Sequence, residues 1–373
     1  MRFVLKVLAT LVGVLALCAL GATAYLYLAP TFGAAGQGDS NPRLVASPQY
    51  QNGRFKNAVE TTLSTQGQVD PDRSTIDFFF PPDGKRPAVP LPSVPLEAHE
   101  LTNGRAAWLG HSTLLMRTGD RAVLIDPVFY DASPVPMTVH AFMLEHKPTI
   151  AELPPIDAVL ISHDHYDHLD YRAVRELDAM VGQFLVPLGV GAHFARWGID
   201  ARKVVELDWY EHHDMGDVRF TLTPARHFSG RALTTRNTTL WGGWVIASAD
   251  DRVYYSGDTG YFPGFAEIGE RFGPFDIAFI ENGAYDVTWA DIHMTPEESV
   301  QASVELGAKA FFPVHWAKFD LAFHTWDEPI LRAVAAADAQ GVDVVTPLIG
   351  EIFLLKQGPV RRWWEGVRAS ESR

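Results

Sequence analysis

The sequence predicts a mixed α/β (α+β) domain, with sheets of short strands and helices outside them, carried behind an N-terminal apolar segment. Three observations predict it. Short β-runs follow one another closely at first, strand and helix alternate after Asp276, and histidines and aspartates recur where β-runs end. The apolar share is 47% against 20% charged, enough for a sizeable core in 373 residues.

The chain begins with Arg2 and Lys6, then runs almost without interruption through apolar residues 7–29. About twenty residues span a bilayer core, so the run is long enough to cross. Basic residues precede it and the first later charge is Asp39. The N-terminus is therefore expected to stay cytoplasmic and the body to be translocated, to a periplasmic or other extracytoplasmic side. Residues 1–30 fit a retained signal anchor, or a signal peptide cleaved near Ala22-Thr23-Ala24 with export of the rest. Continuation of the run through Tyr25-Leu26-Tyr27-Leu28 favours the anchor. The single cysteine, Cys18, excludes an intrachain disulfide and a thiolate metal site. Leu17 before it stands where a lipoprotein signal needs a small residue.

Residues 31–95 form a Pro/Gly-rich extended arm. Pro81-Pro82, Pro87, Pro90, Pro92 and Pro95 exclude regular helix or central strand; among the short apolar spots Phe55, Leu63 and Phe78-Phe79-Phe80, the phenylalanines are expected to insert into the domain beneath. Residues 96–356 form the main domain, and 357–373 a polar tail. Strands are expected at 106–109, 113–117, 122–125 and 158–161, with 118–121 a hairpin-like turn. Further strands fall at 204–207, 218–223, 241–247, 253–256, 277–280, 310–314 and 342–345. Helices are expected at 171–180, 262–272, 296–306 and 328–340. The third opens with Thr295, Pro296 in first position and Glu298 three residues after the cap, a capping-box pattern.

The chemistry concentrates in His163-Asp164-His165-Tyr166-Asp167-His168, directly after a β-run. Imidazole nitrogen and carboxylate oxygen suit Zn²⁺ or another divalent transition metal. A turn leaving a strand can aim His163 and His165 at one metal, and Asp167 and His168 at a second. So compact a run cannot complete two coordination spheres, so other ligands must come from elsewhere. His227, Asp258 and His315 each end a β-run. A lone histidine in such a place is more often structural; it is their ordering after the cluster that argues for a shared site. His99, His140, His146, His193, His212, His213 and His324 lack metal spacing and read as ordinary surface or core residues. The net charge of −14, with no basic run interleaved with aromatics, argues against a nucleic-acid partner.

His-x-His-x-Asp-His, then a distant His, an Asp in a Gly-Asp-Thr setting and a final His, resembles the metallo-β-lactamase superfamily. Trp108-Leu109-Gly110-His111-Ser112-Thr113, Asp126-Pro127-Val128-Phe129, Leu240-Trp241-Gly242, Phe272-Gly273-Pro274-Phe275-Asp276 and His315-Trp316 narrow the resemblance. They resemble its N-acylphosphatidylethanolamine-hydrolysing phospholipase D branch, over about 104–319. The resemblance implies an αββα sandwich as the catalytic domain, 96–356. It implies His163, His165 and His227 on one zinc, Asp167, His168 and His315 on the other, and Asp258 bridging both. Asp167 and Asp258 thereby become catalytic residues. Tyr166 and His293 are implied as contacts to the substrate head group. His293 is also a candidate acid for the departing oxygen, and it is equally a neighbour of the following helix cap. His111 and Asp126 are candidates to orient ligand imidazoles.

The implied reaction is hydrolysis of a phospholipid or other small phosphodiester by water that two metals activate. Asn282-Gly283-Ala284-Tyr285-Asp286 departs from Ile-Gly-Ala-Tyr-Glu of the mammalian enzymes, and the N-terminal portion departs too. Both departures bear on the acyl chains. A lactonase or other carbonyl hydrolase competes, because the same metal pair polarises a C=O. A non-catalytic metal-binding envelope protein is the third reading. The sequence leaves the oligomeric state open.

Overall fold

A computed structural model describes residues 2–34, 38–64, 84–135 and 138–371. Helix α1 spans Arg2–Leu28, is long and apolar enough to cross a membrane, and buries none of its residues against the rest of the protein. The arm then carries a short helix α2 (Pro42–Ala46) and a hairpin of β1 (Tyr50–Gln51) and β2 (Arg54–Phe55). Leu44, Phe55 and Leu91 of the arm are fully buried in the main core. Phe78, Phe79 and Phe80 lie outside the described residues.

Two seven-stranded sheets make the body. The first contains β3 (Arg105–Trp108), β4 (Leu114–Thr118), β5 (Arg121–Ile125), β6 (Ile156–Leu160), β7 (Val181–Pro187) and β8 (Val204–Leu207). Its other edge is closed by β16 (Ile352–Leu354), in the order β16-β3-β4-β5-β6-β7-β8. The second contains β9 (His212–Met215), β10 (Val218–Thr223), β11 (Gly243–Ala247), β12 (Arg252–Tyr255), β13 (Ile277–Glu281), β14 (Ala310–Val314) and β15 (Asp343–Val344), in the order β15-β14-β13-β12-β11-β10-β9. In each sheet an antiparallel meander passes into parallel strands, at β5–β6 in the first and β12–β13 in the second.

Strand alternation places the core. Ala106, Trp108, Leu114, Met116, Val123, Ile125, Ala158 and Leu160 join one cluster with Phe220, Leu222, Trp244 and Tyr255 of the second sheet. Their sequence neighbours Ala107, Leu115, Ala122, Leu124, Val159 and Ile161 join another, against α3 (Tyr171–Leu177) and α4 (Gly191–Arg196). Beyond the second sheet lie α5 (Gly264–Phe272), α6 (Pro296–Glu305) and α7 (Glu328–Gln340), with α6 packed on β13 and β14. Both sheets are thus covered on both faces, the αββα arrangement. The capping box at Thr295 and Glu298 is present. The helix expected over 171–180 ends at Leu177, and Asp178–Met180 is a 3₁₀ turn. Residues 357–373, expected as a polar tail, carry helix α8 (Trp363–Glu371), which stacks Trp363 on Trp316 and buries Trp364.

Candidate metal centre

His163, His165, Asp167 and His168 occupy the loop that follows β6. His227 follows β10, Asp258 follows β12 and His315 follows β14, so the C-terminal ends of strands in both sheets meet at one place. His163 Nε2 and His227 Nε2 lie 2.9 and 3.3 Å from His165 Nδ1. The same two nitrogens lie 3.7 and 3.9 Å from Asp258 Oδ2. On the other side, His168 Nε2 lies 3.5 Å from Asp167 Oδ2 and 3.1 Å from Asp258 Oδ2. His315 Nε2 lies 3.3 and 3.0 Å from the same two oxygens. Ligand bonds of ~2.0 Å in a tetrahedron put donor atoms ~3.3 Å apart. The separations scatter about that edge length, and Asp258 Oδ2 belongs to both groups.

The donor atoms fit a cation better than they fit one another. His168 Nε2, His315 Nε2 and Asp258 Oδ1 are buried without a hydrogen-bond partner among the described residues. A buried polar atom left so costs on the order of 1–3 kcal/mol, which a bound divalent ion removes. Burial pushes the imidazoles of His163, His165 and His227 down, leaving neutral nitrogens suited to a metal. At His168 and His315 burial acts the same way, but Asp258 and Asp167 outweigh it and raise both, His315 to about 10. A divalent cation between those carboxylates and imidazoles would displace the protons they favour.

Further polar groups aim these side chains. Asp126 accepts from Ser162 N at 2.7 Å, Ser162 Oγ at 2.5 Å, Tyr255 Oη at 2.5 Å and His168 Nδ1 at 2.7 Å. It therefore fixes His168 with Nε2 facing the centre. His227 Nδ1 donates to Ile292 O at 2.9 Å. Asn57, from the arm, brackets His227 by accepting from its N–H at 3.0 Å and donating to its carbonyl at 2.8 Å. No spacing rule in the sequence marks Asn57. His111 Nε2 lies 3.1 Å from Asp167 Oδ2. His111, Asp126 and His315 all have left-handed backbones, with φ of 54°, 40° and 69°. Such strain gathers where surrounding structure holds a side chain in a required direction. Asp126→Asn is expected to weaken metal affinity about 10–100-fold, measured by chelator competition. Affinity within twofold of the parent would discount Asp126 as the residue that sets His168.

A third group shares two members with this one: Asp258, Glu281, His293 and His315. His293 Nδ1 lies 2.9 Å from Glu281 Oε2, and Glu281 Oε1 accepts from Met294 N at 2.7 Å. Burial raises the Glu281 pKa, with His293 opposing. Glu281 was not among the sequence candidates. Its signal is a carboxylate at the end of the otherwise apolar run Ile277-Ala278-Phe279-Ile280-Glu281, the position other site residues take on their strands. His293 is brought to the centre, its ring 5.1 Å from that of His227 and 5.4 Å from that of His315. Tyr166 is turned away. Its hydroxyl donates to Arg231 O, and its ring lies under the Arg231 guanidinium at 4.1 Å. His193, read as an ordinary residue, is wholly buried with Nε2 3.1 Å from Asp164 Oδ2, inside the loop that carries His163 to His168.

Residues 121–316 match the family model described as a β-lactamase superfamily domain. An uncharacterised protein of Mycobacterium tuberculosis is 41% identical over 327 residues, 85% of this chain and 87% of that protein. The N-acyl-phosphatidylethanolamine-hydrolyzing phospholipase D 1 of Caenorhabditis elegans is 33% identical over 268 residues, 66% of this chain and 75% of that protein. The crystal structure of isothiocyanate hydrolase from Delia radicum gut bacteria superposes with a TM-score of 0.52 at 19% identity, over 67% of this chain and 98% of that one. By its matched domain, its double-sheet fold and its relatives, the chain belongs to the metallo-β-lactamase superfamily.

Proposed function

We propose that the protein is a binuclear zinc phosphodiesterase of phospholipase D type, acting on N-acylphosphatidylethanolamine-like lipids at a membrane. The observation that carries this reading is Asp258 Oδ2, which lies between the two His/Asp groups within reach of both. In this reading His163, His165 and His227 hold one zinc, Asp167, His168 and His315 the other, and Asp258 both. The zinc pair would supply Lewis acidity and activate water at neutral pH. Each zinc would have three donors of its own and share the fourth, Asp258, so water or substrate would enter as a fifth ligand. Asp167 and Asp258 offset two of the four metal charges, leaving about two positive charges for an anionic phosphodiester. Glu281 holds His293 at Nδ1, which leaves Nε2 as the nitrogen that can hand a proton to the departing oxygen. The likeness to the nematode phospholipase supports the substrate class, and α1 supports anchoring with the body translocated.

The test is a substrate panel on the zinc-loaded full chain in detergent, with His165→Ala as control. Release of an acylethanolamide and phosphatidic acid from N-acylphosphatidylethanolamine is expected, and none from the variant. Turnover of lactones without any of the phosphodiester would overturn the reading in favour of a carbonyl hydrolase.

A further inference from the structure

The segment leaving α1 does not hang free of the body. Arg196 Nη2 donates to the carbonyls of Tyr27, Leu28 and Ala29 at 3.2, 3.3 and 3.5 Å, closing the helix C-terminus. Trp197 Nε1 donates to Pro30 O at 2.7 Å. The buried Arg231 guanidinium donates to Thr31 O at 2.8 Å, and to Asp164 O and Leu169 O at 2.7 Å each. One side chain thus ties the helix exit to both ends of the metal loop. Ala34 N donates to His193 Nδ1 at 2.9 Å, which leaves Nε2 of that ring to donate to Asp164. Gly33 has φ of +63°, and a Cβ there would meet His193 Nδ1 at 2.1 Å, so the chain passes closely over this ring. Phe32 is buried, edge-on to Tyr25 and Tyr166.

A helix exit so fastened decides which face of the body meets the bilayer. We infer that the two loops flanking the exit, 130–135 and 231–237, lie on the lipid surface as a membrane-contact face. This rests on α1 being a retained span, part of the function proposed above. Tyr25 Oη donates to Pro134 O in the first loop, and its neighbour Val135 is 46% exposed. In the second, Leu233 is 90% exposed two residues from the Arg231 that binds Thr31. Isolated in solvent such a leucine gains nothing, but at a headgroup boundary it buries apolar area. Tyr25 and Tyr27 fall in the last turns of α1, where interfacial aromatic residues belong. Exposed Arg172 and Arg236 on the same side suit anionic headgroups, in a chain whose net charge is −14. Between the loops a cleft of about 300 Å³ is lined by Tyr25, Tyr130, Tyr166, Tyr171 and Arg231. It opens on this face, with Tyr166 of the metal loop in its wall.

The face can be mapped without any turnover. Leu233→Cys, Val135→Cys and a control, Asp343→Cys on the edge strand β15, are made in the full chain carrying Cys18→Ser. Each is labelled with an environment-sensitive fluorophore and placed in phosphatidylcholine–phosphatidylglycerol nanodiscs, with or without brominated acyl chains. A face seated ~5–10 Å into the boundary brings labels near the bromines, so emission at 233 and 135 is expected to fall about twofold while 343 is unchanged. Quenching at 233 and 135 no greater than at 343 would overturn the proposal. That result leaves the phosphodiesterase reading standing, and loss of that reading leaves the quenching map standing.

Discussion

Asp258→Ala is expected to lower kcat by about 10³-fold or more, the scale on which removing one preorganised electrostatic group from an active site acts. Its Oδ2 is the atom nearest to being common to His163, His168, His227 and His315, so its loss strikes both groups together. The five imidazoles of the two groups would then keep Asp167 as their carboxylate, with Glu281 beside His293. Zinc content, measured by elemental analysis after dialysis, is expected to fall along with activity. Asp258→Asn separates charge from shape. It keeps the volume beside Gly257 and Thr259, so a folded Asn variant that loses zinc and activity assigns the effect to the carboxylate charge. An Asn variant with full zinc content and a rate within tenfold of the parent would sink the bridging role.

The parts of this site that were legible in the sequence are those dictated by chain order. His163 to His168 sit in one short loop, and His227, Asp258 and His315 each follow a strand whose apolar run announces it. What brings them together is register between distant strands, such as β5 beside β6 and β12 beside β13, which no local pattern encodes. Strand β7 shows the same limit within one element. Gly182 and Gln183 interrupt its apolar run, yet a Cβ at 182 would meet Asp157 O at 2.7 Å, so close strand packing itself demands the residue that hides the strand. The tail's charges outnumber its apolar residues, which hides the helix there, yet Trp363, Trp364 and Val367 pack it onto the core. Asn57 acts through hydrogen bonds to a residue 170 positions away, and Glu281 through bonds to the loop before α6, so their importance exists only once the fold does.

His293→Ala is expected to lower kcat by about 10²–10⁴-fold, the usual contribution of a positioned general acid, with a smaller change in KM. Glu281→Gln keeps a hydrogen-bonding side chain in a wholly buried place but removes the carboxylate that holds His293 Nδ1, so a partial loss is expected. If both act through one proton, the double variant is no slower than His293→Ala alone, the non-additivity of residues working as a unit. Leaving-group chemistry separates proton donation from head-group binding. A phosphodiester with a p-nitrophenolate leaving group needs little protonation, so the His293→Ala defect is expected to shrink on it while persisting on a lipid with an alkoxide leaving group. An equal defect on both substrates, carried in KM, would make His293 a head-group contact and remove it from the proton transfer.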